Sequence, residues 1–452
     1  MTSSGSRDRG HSVSRAAQRD VMGYGLVALN WLAGSSLLDR LGIRKHAEDV
    51  AYQASKTGFR TAGAAQRGFK AVQGLTAPAR LPSSRPSDLF DLTLDDEQQM
   101  IVDTVAAFAA EQLRPAAAEA NESCAPPPGL LERVSELGVT LVGVPEDLGG
   151  AGTERSAVTN VLVAEALAHG DMGLAVSCLA PSAVSTALVL WGDEVQQATY
   201  LPTFVGESVP VAALTLLEPH PLFDPFALRT TARRTADGFV LGGVKSLVPR
   251  AADAELFVIA ADLEGSGPAL FLVESSSTGL SVESEPAMGL RAASMGRVLL
   301  KDVKVPAAAL LGDGRAEVYR ECVRLGRLGW CALALGTGKA VLDYVIPYVN
   351  EREAFGEPIS NRQAVAFKVS DMATELEGMR LLTYRAASRA EQGKDFARDT
   401  ALARRLCAEQ GMTIGTDGVQ LLGGHGFVKE HPVERWYRDL RAIGVMEGVL
   451  LV

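Results

Sequence analysis

The feature that most constrains the fold is a change of hydrophobic period partway along the chain. Up to about Val205 apolar residues recur at helical spacing, from Val209 they gather in short runs, and from about Arg315 the helical period returns. The short runs span 209–217, 228–234, 239–246, 256–261, 269–273, 280–283 and 297–303, punctuated by turn signals such as Asp237-Gly238 and Gly265-Ser266-Gly267. They predict an antiparallel sheet domain of about a hundred residues. The later helical stretches, 316–350, 360–391, 396–422 and 431–444, are long and closely connected, the pattern of a bundle. The expected fold class is therefore α+β: an N-terminal helical domain, a middle antiparallel β-domain and a C-terminal four-helix bundle.

The first helical domain is expected to open at Thr93-Leu-Asp-Asp-Glu, with Thr93 as cap and Asp95, Asp96 and Glu97 in the first turn, where the helix dipole favours acids. That helix should reach about Gln112, with a break or kink near Pro115. Helices are also expected over 130–137, 157–168, 181–191 and 193–205, with a glycine-rich turn at 144–152. The domain boundaries drawn are 91–207, 208–314 and 315–452. Residues 1–90 form a basic helical N-terminal extension and linker.

That extension carries thirteen Lys/Arg against six acids, so it is +7 and the rest of the chain is −17. Residues 1–19 read as disordered, 20–73 as weakly amphipathic helix and 76–88 as a Pro- and Ser-rich linker. The positive helix is read either as a peripheral membrane or partner contact, or as an extension packed on protein. Its apolar stretch 21–32 is too short to span a bilayer.

A net charge of −10 argues against nucleic acid as a partner. Five scattered cysteines without CxxC spacing point to a reducing, cytoplasmic compartment, with contact to a membrane only through residues 20–73. The six histidines show no ligand spacing, so no metal site is expected.

Chemistry concentrates near the C-terminus. Residues 420–448 hold a Gly423-Gly424-His425-Gly426 turn, a helical run and a lone acid, Glu447, among Val445, Met446, Val449 and Leu450. The glycines suit close approach to a ligand or positive φ. An acid in apolar company resists ionising and makes a stronger base than one in water. The alternative is a glycine cap followed by a Glu at the solvent edge.

Several motifs in this order resemble the acyl-CoA dehydrogenase family of flavoproteins, over about residues 92–452. They are Pro145-Glu146-Asp147-Leu148-Gly149-Gly150, Glu218-Pro219, Asp302-Val303-Lys304-Val305-Pro306 with Leu311-Gly312, Arg352 to Gly356, Gln363, and Gln420 with Gly423, Gly424 and Gly426. The resemblance implies FAD at an interface in a homo- or hetero-oligomer, a dimer or tetramer, and an acyl-CoA substrate. It also implies electron-transfer flavoprotein as the acceptor. Arg352 would pair with the pyrophosphate, as a forked permanent cation suits. Phe355, Gln363, Gln420, Gly423 and Gly424 would reach the adenosine half of a neighbour's cofactor. Glu447 stands where the family has its catalytic base, followed by Gly448 at the substrate. Arg327 matches an Arg on a helix lining the acyl site.

The flavin-ring motifs depart from the family pattern. Leu217 replaces a Thr whose hydroxyl bonds the ring, Leu222-Phe223 replaces a Gly-Ser pair, and Leu247-Val248-Pro249 replaces Trp-Ile-Thr. Three lost hydrogen bonds at about 1 kcal/mol each would weaken flavin binding by about two orders of magnitude. Two readings follow: a divergent FAD-dependent dehydrogenase, or a flavin-poor, non-catalytic scaffold subunit of a mixed complex.

Overall fold

The computed structural model describes residues 92–150, 156–206 and 208–447, all in one compact unit. The basic extension, Gly448 and the residues after it lie outside the described residues.

Helix α1, Asp96–Phe108, is capped by Asp95 rather than Thr93. The Asp95 carboxylate accepts from Gln98 N at 2.8 Å while the Gln98 side chain accepts from Asp95 N at 3.3 Å. This reciprocal box needs a Glu or Gln three residues after the cap, which Asp95 has in Gln98 and Thr93, followed there by Asp96, lacks. A π-helical stretch, Ala109–Leu113, runs into α2, Arg114–Ser123. Pro115 sits in the first turn of α2, where a missing N–H costs little, so the break expected there is only a local widening. Then come α3 (Leu130–Glu136), α4 (Val139–Val142), α5 (Ala157–Gly170), α6 (Met172–Trp191) and α7 (Glu194–Phe204). Helix α6 starts well before Pro181, which lies buried inside it, because Asp171 caps the earlier end by accepting from Leu174 N at 3.0 Å. It is long and apolar enough to cross a membrane, but most of it is buried in this core.

The sheet holds β1 (Ala212–Thr215), β2 (Thr231–Thr235), β3 (Gly238–Val248), β4 (Leu256–Leu263), β5 (Gly267–Glu274), β6 (Leu280–Ser284) and β7 (Gly296–Pro306). Their order is β1-β4-β2-β3-β7-β6, with β5 also on β4. Pairs β2–β3, β3–β7, β4–β5 and β6–β7 are antiparallel, as expected, but β1 and β2 run parallel to β4. Neither reaches β4 through a hairpin, so a longer crossover fixes their direction. Register shifts in β3 at 241/243 and 245/248 bend its end, which delivers residues 246–249 to the site described below.

The C-terminal part comprises α8 (Ala316–Glu351), α9 (Gln363–Glu391), α10 (Ala397–Leu421) and short α11 (Val433–Leu440). Helix α8 also belongs to the first domain's core. A Cβ on Gly336 would lie 2.0 Å from Glu165 O, so α5 backs directly onto α8. Tyr384 donates to Glu165 Oε2 at 2.8 Å and Arg380 pairs with its Oε1 at 2.5 Å, tying α9 to the same helix. A buried polar knot joins the three parts. Arg435 pairs with Asp171 at 3.1 Å, and Asp439 accepts from Leu290 N at 2.6 Å. Burial pushes the Asp439 carboxyl up to about 7, with Asp171 adding to it.

Candidate active site

Glu447 follows the last described turn, Arg441–Gly444, and takes the left-handed conformation at φ 53°. A non-glycine residue there needs tertiary support. Arg327 on α8 supplies it, donating from Nε and Nη2 to Glu447 O at 3.2 and 3.0 Å. Gly326 makes room: a Cβ there would stand 3.3 Å from Glu447 Cγ. The side chain is buried, not at the solvent edge, and Oε2 has no hydrogen-bond partner. Burial raises the carboxyl to about 7, against the pull of Arg404, Arg327 and the Trp330 side chain. Arg404 is itself buried and lowered to about 10 by desolvation.

Glu447 lines a cavity of about 250 Å³. Its β-domain wall is residues 214–217 and 246–249, among them Leu217, Leu247, Val248 and Pro249, and its helical wall includes Gly329, Trp330 and Leu333. Of the polar groups on that wall, Thr215 Oγ1 donates to Val258 O at 3.2 Å, and Ser246 Oγ and Leu247 N donate to Glu285 at 2.9 and 2.8 Å. Side-chain donors for a ring edge are therefore scarce there, as the replaced motifs imply. The added bulk is a different matter. Phe223 is buried in the apolar core with its ring edge-on to His220, and it is not part of the cavity wall. The residues present thus fit a flat, largely apolar ring held by contact more than by hydrogen bonds, with the unpaired Oε2 of Glu447 beside it.

A second recess, of about 630 Å³, is lined by Arg352, Phe355, Gln420, Gly423 and Gly424, five of the six residues expected at the cofactor. Gln363 begins α9 beside Arg362 and Ala364 of this wall but does not line it. Phe355 is 94 % exposed, so it is no core residue in this chain, and Arg362 lies over its ring at 5.1 Å. Gly423, at φ 58°, both ends α10 and opens the recess; a side chain at Gly424 would meet nothing. Gly426 is different, because a Cβ there would strike Val419 O at 2.2 Å. Arg352, Arg362 and Lys368 line the recess; Arg362 pairs with Glu357 at 3.4 Å and Lys368 with Asp417 at 2.5 Å, so Arg352 is the cation best placed for a pyrophosphate.

Sequence reasoning missed Arg362, just before α9, and Lys368, in its second turn, where charged residues are ordinary on an exposed helix face. It also missed Arg404, for which a signal existed. Arg404 falls on the buried stripe of α10 with Thr400, Cys407 and Gly411, where a cation is out of pattern.

The protein belongs to the acyl-CoA dehydrogenase family. Three family models match in order: the acyl-CoA dehydrogenase N-terminal domain over 95–207, the middle domain over 213–303 and the C-terminal domain over 313–450. Short-chain specific acyl-CoA dehydrogenase of Bos taurus mitochondria is 33% identical, across 78% of this chain and 87% of the relative. Butyryl-CoA dehydrogenase from Megasphaera elsdenii superposes with a TM-score of 0.75 at 29% identity, across 80% of this chain and 97% of that one. Glutaryl-CoA dehydrogenase from Mycobacterium smegmatis, solved with FADH2, gives 0.73 at 25%, across 79% and 92%.

Proposed function

We propose that this chain is an FAD-dependent acyl-CoA dehydrogenase that oxidises the Cα–Cβ bond of an acyl thioester, with Glu447 as base. The observation that carries this is a buried carboxyl raised to about 7, its Oε2 unpaired, beside a largely apolar cavity.

A thioester α-C–H is a weak acid, and a carboxylate with few water partners has the raised proton affinity needed to take it. Glu447 removes that proton at Oε2. FAD, when bound, supplies the acceptor for the β-hydride. The apolar walls at Leu217, Leu247 and Val248 keep water from the developing enolate. Arg327 fixes the base through its carbonyl, so the carboxylate stays available for the proton. Arg352 would hold the cofactor's pyrophosphate, and Phe355, Gln420, Gly423 and Gly424 its adenosine side. Gln363 is assigned to the same end by resemblance, as Gly448 is to the substrate.

The reading includes an oligomer in which the Arg352 recess serves a neighbour's cofactor, electron-transfer flavoprotein as acceptor, and a cytoplasmic location with membrane contact through residues 20–73. Kinship supports the first two; the five free cysteines support a reducing compartment, and membrane contact rests on the positive charge of the extension alone. The scaffold reading is not favoured: Glu447 keeps the burial and unpaired oxygen of a base, and Phe223 leaves the cavity open.

The deciding experiment is a visible spectrum of the purified protein under anaerobic titration with acyl-CoA thioesters. A flavin band that bleaches supports the dehydrogenase. A colourless protein that gains flavin only beside a second family member would overturn it in favour of the scaffold.

A further inference from the structure

The cavity beside Glu447 is apolar except at a second place on its wall. Asn160 on α5 and Ser182 and Thr186 on α6 line it. Other hydroxyls in the lining are committed within the fold: Thr215 donates to Val258 O at 3.2 Å and Ser246 is held by Glu285. Ser182 is not. Its Oγ is buried with no hydrogen-bond partner. Thr186 lies one turn further along α6, on the same face. Thr186 Oγ1 and Asn160 Oδ1 converge over Gly143, at 3.6 and 3.8 Å from the point a Cβ would occupy there. A glycine at 143 leaves that space open.

This polar group is separate from the base. Glu447 is surrounded by Gly326, Arg327, Arg404 and Trp330, whereas Asn160 and Thr186 meet at Gly143 and Ser182 lies one turn before Thr186 on α6. Among the described residues lining the cavity there is no Arg, Lys or His.

We infer that the acyl group accepted here carries an uncharged oxygen function, a hydroxyl or a ketone, remote from the thioester, and that Asn160, Ser182 and Thr186 bind it. The inference rests on the dehydrogenase reading and narrows its substrate class. A plain hydrocarbon chain would strip water from Asn160 Oδ1 and Thr186 Oγ1 without replacing its hydrogen bonds, and a site built to hydrogen-bond discriminates strongly against the analogue lacking the group. A carboxylate would be desolvated with no cation to receive it. Asn offers both donor and acceptor and Ser and Thr a rotating hydroxyl, so the trio can satisfy either a hydroxyl or a ketone.

The test uses the full-length flavoprotein and pairs of CoA thioesters matched in length: octanoyl, dodecanoyl and hexadecanoyl, each against its ω-hydroxy and (ω−1)-oxo counterpart. Two readouts are taken. One is kcat/KM by flavin reduction. The other is binding of the matching non-reacting thioethers, followed by the fluorescence of Trp191 and Trp330 in the cavity wall. The expected result is an oxygenated substrate favoured by about tenfold or more at the length that reaches the trio, in both readouts. Ser182→Ala and Thr186→Val should each reduce that ratio several-fold. Plain chains preferred or equal at every length would overturn the inference while leaving the dehydrogenase intact. So would variants that shed flavin with the ratio unchanged, since the trio would then serve the cofactor. Reduction of the flavin by none of the thioesters would overturn both.

Discussion

Arg327 grips Glu447 by the main chain: both guanidinium bonds, at 3.2 and 3.0 Å, go to the Glu447 carbonyl. The base is thereby held in a left-handed conformation that an isolated glutamate avoids, and its carboxylate keeps one oxygen unpaired. Arg327→Leu should lower kcat by about 10- to 100-fold, because hydrogen bonds from a charged donor contribute about 1.5–3 kcal/mol. Flavin content, read from the absorbance ratio of the purified protein, should not change. Loss of flavin with kcat per flavin unaltered would assign Arg327 to the cofactor instead.

Glu447→Gln keeps the shape and removes the basicity. Proton abstraction by a positioned base is worth about 10²–10⁴-fold, so flavin reduction by acyl-CoA should slow by that much. Flavin and thioester analogue should still bind. Single-turnover bleaching at normal speed would show that another group takes the proton.

The pH dependence follows from the same residue. Its carboxyl is raised from the ordinary 4.5 to about 7 by burial, so kcat/KM should rise with pH and reach half its plateau near 7. Stability moves the opposite way. Between 4.5 and 7 the unfolded chain releases this proton while the folded one retains it, so the folded state loses stability as pH rises and the loss levels off above 7. Glu447→Gln should therefore be more stable than the parent above pH 7, by up to about 3 kcal/mol, and similar to it in acid. Comparing the two proteins isolates Glu447 from Asp439, which titrates in the same range. Melting temperatures across pH provide the check, and parallel curves for both proteins would refute it.

Much of this was legible locally. The change of period marks the helix–strand–helix order because each element buries one face, and Glu447 stands out because an acid among Val445, Met446, Val449 and Leu450 has no local reason to be there. What was not legible depends on parts distant in sequence. The parallel seat of β1 and β2 on β4 depends on crossovers, and the start of α6 on Asp171 rather than on Pro181. The replaced Leu217, Phe223 and Pro249 could be read as lost bonds but not as positions. Only the fold shows that Leu217 and Pro249 wall the cavity while Phe223 turns into the core.

Arg352 is the strongest single test of the second recess, since it is exposed and its removal leaves no cavity in the core. Arg352→Gln should weaken FAD retention by about 10- to 100-fold, in line with about 1.5–3 kcal/mol for a charged hydrogen bond. Thermal stability of the flavin-free protein should not change. The affinity is read by titrating FAD into stripped protein, and an unaltered value would remove Arg352 from the site.

Gly336 tests the packing that aligns the site. The 2.0 Å between its implied Cβ and Glu165 O leaves no room for a methyl group, so Gly336→Ala must push α5 away from α8. Overpacking of this kind costs about 1–3 kcal/mol. Both helices line the Glu447 cavity, α5 through Ala157, Asn160 and Val161 and α8 through Gly326, Gly329 and Trp330. Separation should therefore lower kcat/KM along with the melting temperature, even though residue 336 is not itself in the cavity wall. An alanine variant with full stability and altered activity would mean that the helices move without strain. One with full stability and full activity would mean that the close approach at Gly336 does not position the site.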